Sequence, residues 1–162
     1  MNPVEKRLDY KAASPGTVEA MRSMGEYVKK CGLEEALLEL VKIRASQING
    51  CAHCLDMHTK DARAKGETEQ RLYLVAAWRE APVFTERERA ALEWTEAITR
   101  IDQGHVPDDV YQTASKYFTE KELVDLTLAV VLINGYNRLN IAFRTIAGSY
   151  QPARLTIRNK PL

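Results

Sequence analysis

The sequence is poor in the residues that build disulfide scaffolds and closed metal sites. It holds three cysteines and three histidines in 162 residues. That is too few cysteines for a small secreted scaffold stapled by several bridges. Charge of one sign is also lacking. Lys and Arg number 23 against 22 Asp and Glu, a net charge of +1, so no strong field recruits nucleic acid or an anionic membrane. Long apolar runs are missing as well. The longest, Leu123 to Ile133, is interrupted by Asp125 and falls far short of the roughly 20 residues that span a bilayer. The first residues, MNPVEKRLDYKAASPG, contain no apolar stretch of the kind a secretory signal needs, and a cytoplasmic protein is expected. Strand-like alternation, a glycine-rich phosphate loop and internal repeats are absent too, which leaves helices as the material of the fold.

What is present is concentrated in one stretch, ELVKIRASQINGCAHCLDMH, residues 39 to 58. It contains two of the three cysteines and two of the three histidines. Asn49-Gly50 reads as a helix stop and turn, because both residues tolerate left-handed backbone angles. A new helix is expected from Cys51 to about Lys65, ended by Gly66. On it Cys54 is i+3 from Cys51 and His58 is i+4 from Cys54, so the three side chains share one face with Leu55 and Ala62. Asp56, Lys60 and Arg63 point away. Free N–H groups and the helix dipole favour an anion at such an N-terminus. A cysteine there, beside a histidine, is biased toward the reactive thiolate. The pattern reads as a dithiol/disulfide redox centre with His58 as proton carrier.

Two plainer readings stand beside it. Cys51, Cys54 and a histidine could supply zinc ligands, although Cys31 and His105 lie far away and no second Cys or His pair exists. Alternatively the cysteines are inert core residues, which is the reading adopted for Cys31.

The segment ASQINGCAHCLDMHTKDARAKGET resembles the signature of the AhpD-like alkyl hydroperoxidases, in the carboxymuconolactone decarboxylase superfamily. That family's redox pattern is Glu-x11-Cys-x-His-Cys-x3-His, matched by Glu39, Cys51, His53, Cys54 and His58. The later NGYNRLNIAFR, residues 134 to 144, is similar to a stretch near the end of the family's core helices. The resemblance implies an all-α fold, assembly into trimers or hexamers, and reduction of peroxides through the cysteine pair. In that scheme an external dithiol protein or small thiol restores the pair, and no bound cofactor or metal is used. Superfamily members that are decarboxylases lack the pair.

The rest of the chain fits seven or eight helices in one domain, with a helical hairpin carrying the redox pair. Residues 1–16 read as an extended arm able to lie on a neighbouring subunit, 17–148 as the domain, and 149–162 as a loose basic tail. Helices are expected from Thr17 to Lys30, with Met21 and Met24 as core filler, and from Leu33 to Ile48. Another should run from Thr68 to about Glu80, with Tyr73 and Trp78 as packing residues. Capping boxes at Thr85-Glu88 and Thr119-Glu122 open two more, the first to about Ile101, and a helix through Tyr117 with Pro107 at its first position lies between them. The stretch Glu120 to Asn134 is apolar nearly all round, so it is central or at an interface. Gly135 is expected to bend or break it before a last helix to about Ala147. Asn137, Arg138 and Asn140 are candidates for a pocket or for an exposed helix face, and His105 for the surface.

Glu39 falls off the apolar face of its helix, beside Glu35 and Ile43. By periodicity alone it is as well read as a surface carboxylate as a site residue. If it reaches the cysteines, both faces of that helix must be covered, and a low-dielectric cover would raise its pKa. Attack on the peroxide is assigned to Cys54, the cysteine nearer His58 in sequence, and resolution to Cys51, with His58 carrying protons, Glu39 orienting or recharging it, and His53 tuning the site. The dipole argument would instead favour Cys51 as the attacking thiolate. The rival functions are a decarboxylase-like lactone enzyme and a non-catalytic, redox-sensing oligomeric protein.

Overall fold

Two helices, α3 (Glu35–Asn49) and α8 (Glu120–Ala142), pack against most of the others and fix their positions. The structure is a computed structural model that describes residues 5–152. Among these residues it contains eight α-helices and no strand, the all-α architecture expected. The remaining helices are α1 (Tyr10–Ala13), α2 (Pro15–Lys30), α4 (Ala52–Ala64), α5 (Glu69–Leu74), α6 (Glu86–Thr99) and α7 (Asp108–Tyr117). No helix of the described residues is long and apolar enough to cross a membrane.

The α3 helix packs against α4, α6 and α8 at once. Its residues serve two separate apolar clusters. Leu37, Leu38 and Val41 join Val28, Trp94, Leu126 and Val130 on one side. Leu40 and Ile43 join Leu72, Val75, Trp78, Phe84 and Leu92 on the other. Burying each such side chain contributes about 1.5–3 kcal/mol. A helix with both flanks covered has no solvent face, and Leu37 through Val41 are all buried.

Both capping boxes form as read. Thr85 and Thr119 each accept the backbone N–H of the glutamate three residues on, and Glu88 and Glu122 each accept the threonine N–H in return. The break expected at Gly135 does not occur, and α8 runs on to Ala142. The glycine serves close approach instead. A Cβ built there would stand 2.9 Å from Met21 Cε on α2, so the missing side chain lets α2 lie against α8.

Other boundaries also differ. The segment before Gly16 is not an extended arm within the described residues. Asp9 caps the single turn of α1 by accepting the N–H groups of Lys11 and Ala12, and α2 begins with Pro15 at its first turn. Tyr10 is buried and stacks on Phe143 at 5.9 Å between ring centroids. The Arg7 N–H donates to the Phe143 carbonyl at 3.1 Å, so the segment lies along the C-terminal end of this chain's own α8. The helix expected over Thr68 to Glu80 is α-helical only to Leu74 and tightens into one 3₁₀ turn over Val75–Ala77. Such tightening is common at helix ends. Trp78 is buried as expected, while Tyr73 is exposed. The α6 helix ends at Thr99, followed by a 3₁₀ turn over Ile101–Gln103.

The start of the expected loose tail is pinned to α4. The Gly148 N–H donates to Asp56 at 2.9 Å, Lys60 Nζ donates to the Tyr150 carbonyl at 2.9 Å, and the Tyr150 hydroxyl donates to Asp61 at 2.7 Å. The tail's residues 153–162 lie outside the described residues, as do residues 1–4 of the arm.

Candidate active site

The site begins with a turn that holds two helices together. Gly50 takes a left-handed φ of 70° after the end of α3, a conformation in which a Cβ is penalised. Its N–H donates to the Gln47 carbonyl at 3.3 Å, and the Cys51 N–H reaches back to the Ser46 carbonyl at 3.0 Å. These two bonds form a Schellman motif, which satisfies the last carbonyls of α3 and ends the turn after one residue. Cys51 is thereby left as the N-cap of α4, with its sulfur accepting the Cys54 N–H at 3.4 Å.

Cys51 and Cys54 are joined in a disulfide, with their Cα atoms 5.4 Å apart. Both are 1% exposed. They are not equivalent. Cys54 lines a cavity of about 670 Å³ between α2, α3, α4 and α8, together with Leu38, Met57, Leu132 and Ile133. Cys51 does not line it, and packs with Ala45, Cys54 and Ile133 in a small cluster. His53, His58 and Glu39 line the same cavity. Four of the five residues that carry the resemblance therefore face one space, and the fifth is bonded to one of them.

Glu39 is not a surface carboxylate, since it is 3% exposed. The helical wheel misplaced it because α4 covers the flank of α3 that a one-sided helix would turn to water. Its Oε2 lies 3.0 Å from His58 Nδ1, and its Oε1 accepts Lys42 Nζ and Lys65 Nζ, each at 3.1 Å. Burial pushes the Glu39 pKa up. The His58 hydrogen bond and the two ammonium charges outweigh burial and bring it down from 4.5 to about 2. The rise expected from a low-dielectric cover is thus reversed by the cations that the cover brings with it. An ionised carboxylate can only accept, so His58 Nδ1 carries the hydrogen and Nε2 is left as the proton-exchanging nitrogen.

His53 is off the main face, as its position in the helix implies, yet it lines the cavity. Its Nδ1 lies 3.0 Å from the Ile146 carbonyl. That partner is an acceptor only, so Nδ1–H donates and Nε2 is again the free nitrogen. The bonds from Asp56, Lys60 and Asp61 to residues 148–150 hold Ile146 in reach.

Three asparagines of α8 at i, i+3 and i+6 face the hairpin. Asn49 Nδ2 donates to Asn134 at 2.9 Å and to Asn137 at 2.8 Å, and Asn137 Nδ2 donates to Ser46 Oγ at 3.0 Å. The end of α3, and so the turn into Cys51, is bonded to α8. Arg138 turns back onto Asn134. Asn140 Nδ2 lies 3.5 Å from Cys54 Sγ, and the Tyr10 hydroxyl donates to Asn140 Oδ1 at 3.4 Å. Tyr10 was not singled out by the sequence. Its one signal is an aromatic residue in a polar segment, directly after a capping aspartate.

Cys31, half-buried and unpaired, packs at the edge of the α2–α3–α8 cluster. His105 is exposed. Among the described residues no group of three or more His, Cys, Asp and Glu side chains is arranged to hold a metal ion.

A family model described as "Carboxymuconolactone decarboxylase family" matches residues 15–97. The uncharacterized protein YdfG of Bacillus subtilis is 42% identical over 90% of this chain and 99% of its own length. A solved structure from Agrobacterium tumefaciens, of a protein of unknown function suggested to be the antioxidant defence protein AhpD, is also 42% identical. It has a TM-score of 0.85 over 92% of this chain and 99% of its own. The debrominase Bmp8 shares the fold at a TM-score of 0.77, with 16% identity over 85% of this chain and 74% of its own.

Proposed function

Because the chain belongs to the carboxymuconolactone decarboxylase family, and is AhpD-like within it, we propose that it is a thiol-dependent hydroperoxidase. The observation that carries the reading is that Cys54 and His58 open on one cavity while Cys51 is already bonded to Cys54.

In the reduced state the Cys54 thiolate attacks the terminal oxygen of a hydroperoxide ROOH. The S–O bond forms, the O–O bond breaks, and the leaving alkoxide takes a proton from His58 to depart as ROH. Cys54 is then a sulfenic acid. The Cys51 sulfur attacks it, the S–S bond forms, and the hydroxyl leaves as water with a proton relayed through the same imidazole. An external dithiol reduces the disulfide by exchange, supplying two electrons and two protons. The sum is ROOH plus dithiol giving ROH, water and disulfide.

Glu39 orients His58 and balances the imidazolium when it forms. With a pKa of about 2 it does not itself carry the proton near neutral pH. Attack is given to Cys54 because it faces the cavity. The apolar walls formed by Leu38, Met57, Leu132 and Ile133 suit a hydroperoxide with an organic group better than hydrogen peroxide itself.

Steady-state consumption of cumene hydroperoxide with dithiothreitol as reductant tests the reading. Turnover is expected in the wild type and absent in Cys51→Ser and Cys54→Ser. Turnover surviving in the double Cys51→Ser/Cys54→Ser protein overturns it. The same assay separates the rivals, because a lactone enzyme needs neither cysteine and a redox sensor reacts once without turnover.

A further inference from the structure

The helix N-terminus favours Cys51 as the thiolate, while the cavity faces Cys54. Something must stabilise charge on the Cys54 sulfur if it is to attack. The Cys51 sulfur takes the donor that the helix offers, the Cys54 N–H at 3.4 Å. At 3.5 Å the Cys54 sulfur has a different one, Asn140 Nδ2. We propose that Asn140 is a catalytic residue whose amide N–H holds the Cys54 thiolate, and that Tyr10 is the positioning residue that keeps that end of the amide turned to the sulfur. The inference rests on the reading that Cys54 attacks.

Three observations support it. Asn140 is only 6% exposed, so water does not satisfy its amide and its orientation is set by its partners. Those partners are complementary, since the Tyr10 hydroxyl donates to Oδ1 at 3.4 Å and leaves Nδ2 for the sulfur. Turned the other way, the amide would set a carbonyl oxygen against the thiolate and repel it. Burial raises the Tyr10 pKa above its ordinary value of 10, so the hydroxyl keeps its hydrogen throughout the working range and remains a donor.

The positioning residue is itself held from several directions. Its ring stacks on Phe143, Asp9 caps the turn that carries it, and Arg7 is bonded to the carbonyls of Ala142 and Phe143. The segment before α2 is thus built against the end of α8 where Asn140 lies. Both residues also fall outside residues 15–97, the part that the family model matches.

The test reads the thiolate and not peroxide turnover, so it can fail independently of the hydroperoxidase reading. In full-length Cys51→Ser protein, the rate of Cys54 alkylation by iodoacetamide is measured from pH 5 to 10, with Cys54 modification followed by peptide mass spectrometry. A hydrogen bond to a charged group is worth about 1.5–3 kcal/mol. Adding Asn140→Ala should therefore move the midpoint up by about one pH unit or more and slow alkylation near neutral pH about tenfold. Tyr10→Phe, which removes only a hydroxyl, should move the midpoint in the same direction by less.

A purely packing role would change the rate alike at every pH and leave the midpoint in place, and that result overturns the proposal. Should Asn140→Ala not fold, Tyr10→Phe decides, and an unmoved midpoint in that variant rejects the pair.

Discussion

Glu39 Oε2 on α3 and His58 Nδ1 on α4 stand 3.0 Å apart, and two lysines on the other carboxylate oxygen keep Glu39 ionised down to about pH 2. In the proposed mechanism this divides the labour: Glu39 is a fixed charge and His58 is the group that moves a proton. Activity between pH 4 and 8 should then carry no limb from Glu39. Glu39→Gln should lower turnover about tenfold or more without removing any acid limb from the pH profile. An acid limb that disappears in Glu39→Gln would show that Glu39 titrates in the working range.

The same carboxylate links stability to pH. Its folded-state pKa lies below the ordinary value, so its contribution is full above about pH 4.5 and is lost as pH falls toward 2. At about 1.4 kcal/mol per pH unit, the contribution is on the order of 3 kcal/mol. In urea unfolding, the gap between wild type and Glu39→Gln should narrow by about that amount from pH 6 to pH 2. Parallel curves would contradict the ion pairing.

His58→Gln should reduce turnover by about 10²-fold or more, in the range of general acid–base groups, with fold unchanged. Zinc content by elemental analysis belongs in the same experiment. Stoichiometric zinc in wild-type protein purified without added metal would replace the proton-carrier role by a ligand role.

The redox face was legible in the sequence because Cys51, Cys54 and His58 obey a helical period, which survives whatever packs around it. Glu39 was not, because a helical wheel presumes one wet side and α3 has none. Its low pKa was likewise hidden, since Lys65 caps the C-terminal end of α4 and reaches Glu39 only when the hairpin closes. Gly135 was misread for a related reason. A glycine within a helical pattern signals a break or a close approach, and only the position of Met21 distinguishes the two. Tyr10 was out of reach altogether, as its partner Asn140 lies 130 residues away in sequence. Both capping boxes and the Asn49-Gly50 stop, being purely local, were read with their residues in place.

The apolar stretch of α8 leaves Val124 68% and Val131 48% exposed, two turns apart on one flank with Leu128 between them. We propose that a second copy of the chain covers this flank in a trimer or hexamer. Light scattering during size exclusion at micromolar protein should give a multiple of 18.3 kDa, reduced by Val124→Asp/Val131→Asp. A monomer with full activity would remove the assembly proposal.

Asn137 is fully buried and bonds Asn49 and Ser46 in the last turn of α3, just before the turn into Cys51. Asn137→Ala removes the donor to Ser46 and leaves Asn49 with Asn134 alone on α8, and should cost about 1–3 kcal/mol in urea unfolding. A neutral substitution would mean that the turn does not depend on the Asn137 bonds.

The central claim is that Cys54 attacks a hydroperoxide and Cys51 closes the disulfide, and chemical trapping tests it most directly. Reduced Cys51→Ser protein is treated with one equivalent of cumene hydroperoxide in the presence of dimedone, and the adduct is located by peptide mass spectrometry. The account predicts a single adduct on Cys54 in that variant, and in the wild type a Cys51–Cys54 disulfide with Cys31 still reduced. An adduct on Cys31, or no adduct while the peroxide remains unconsumed, would contradict it.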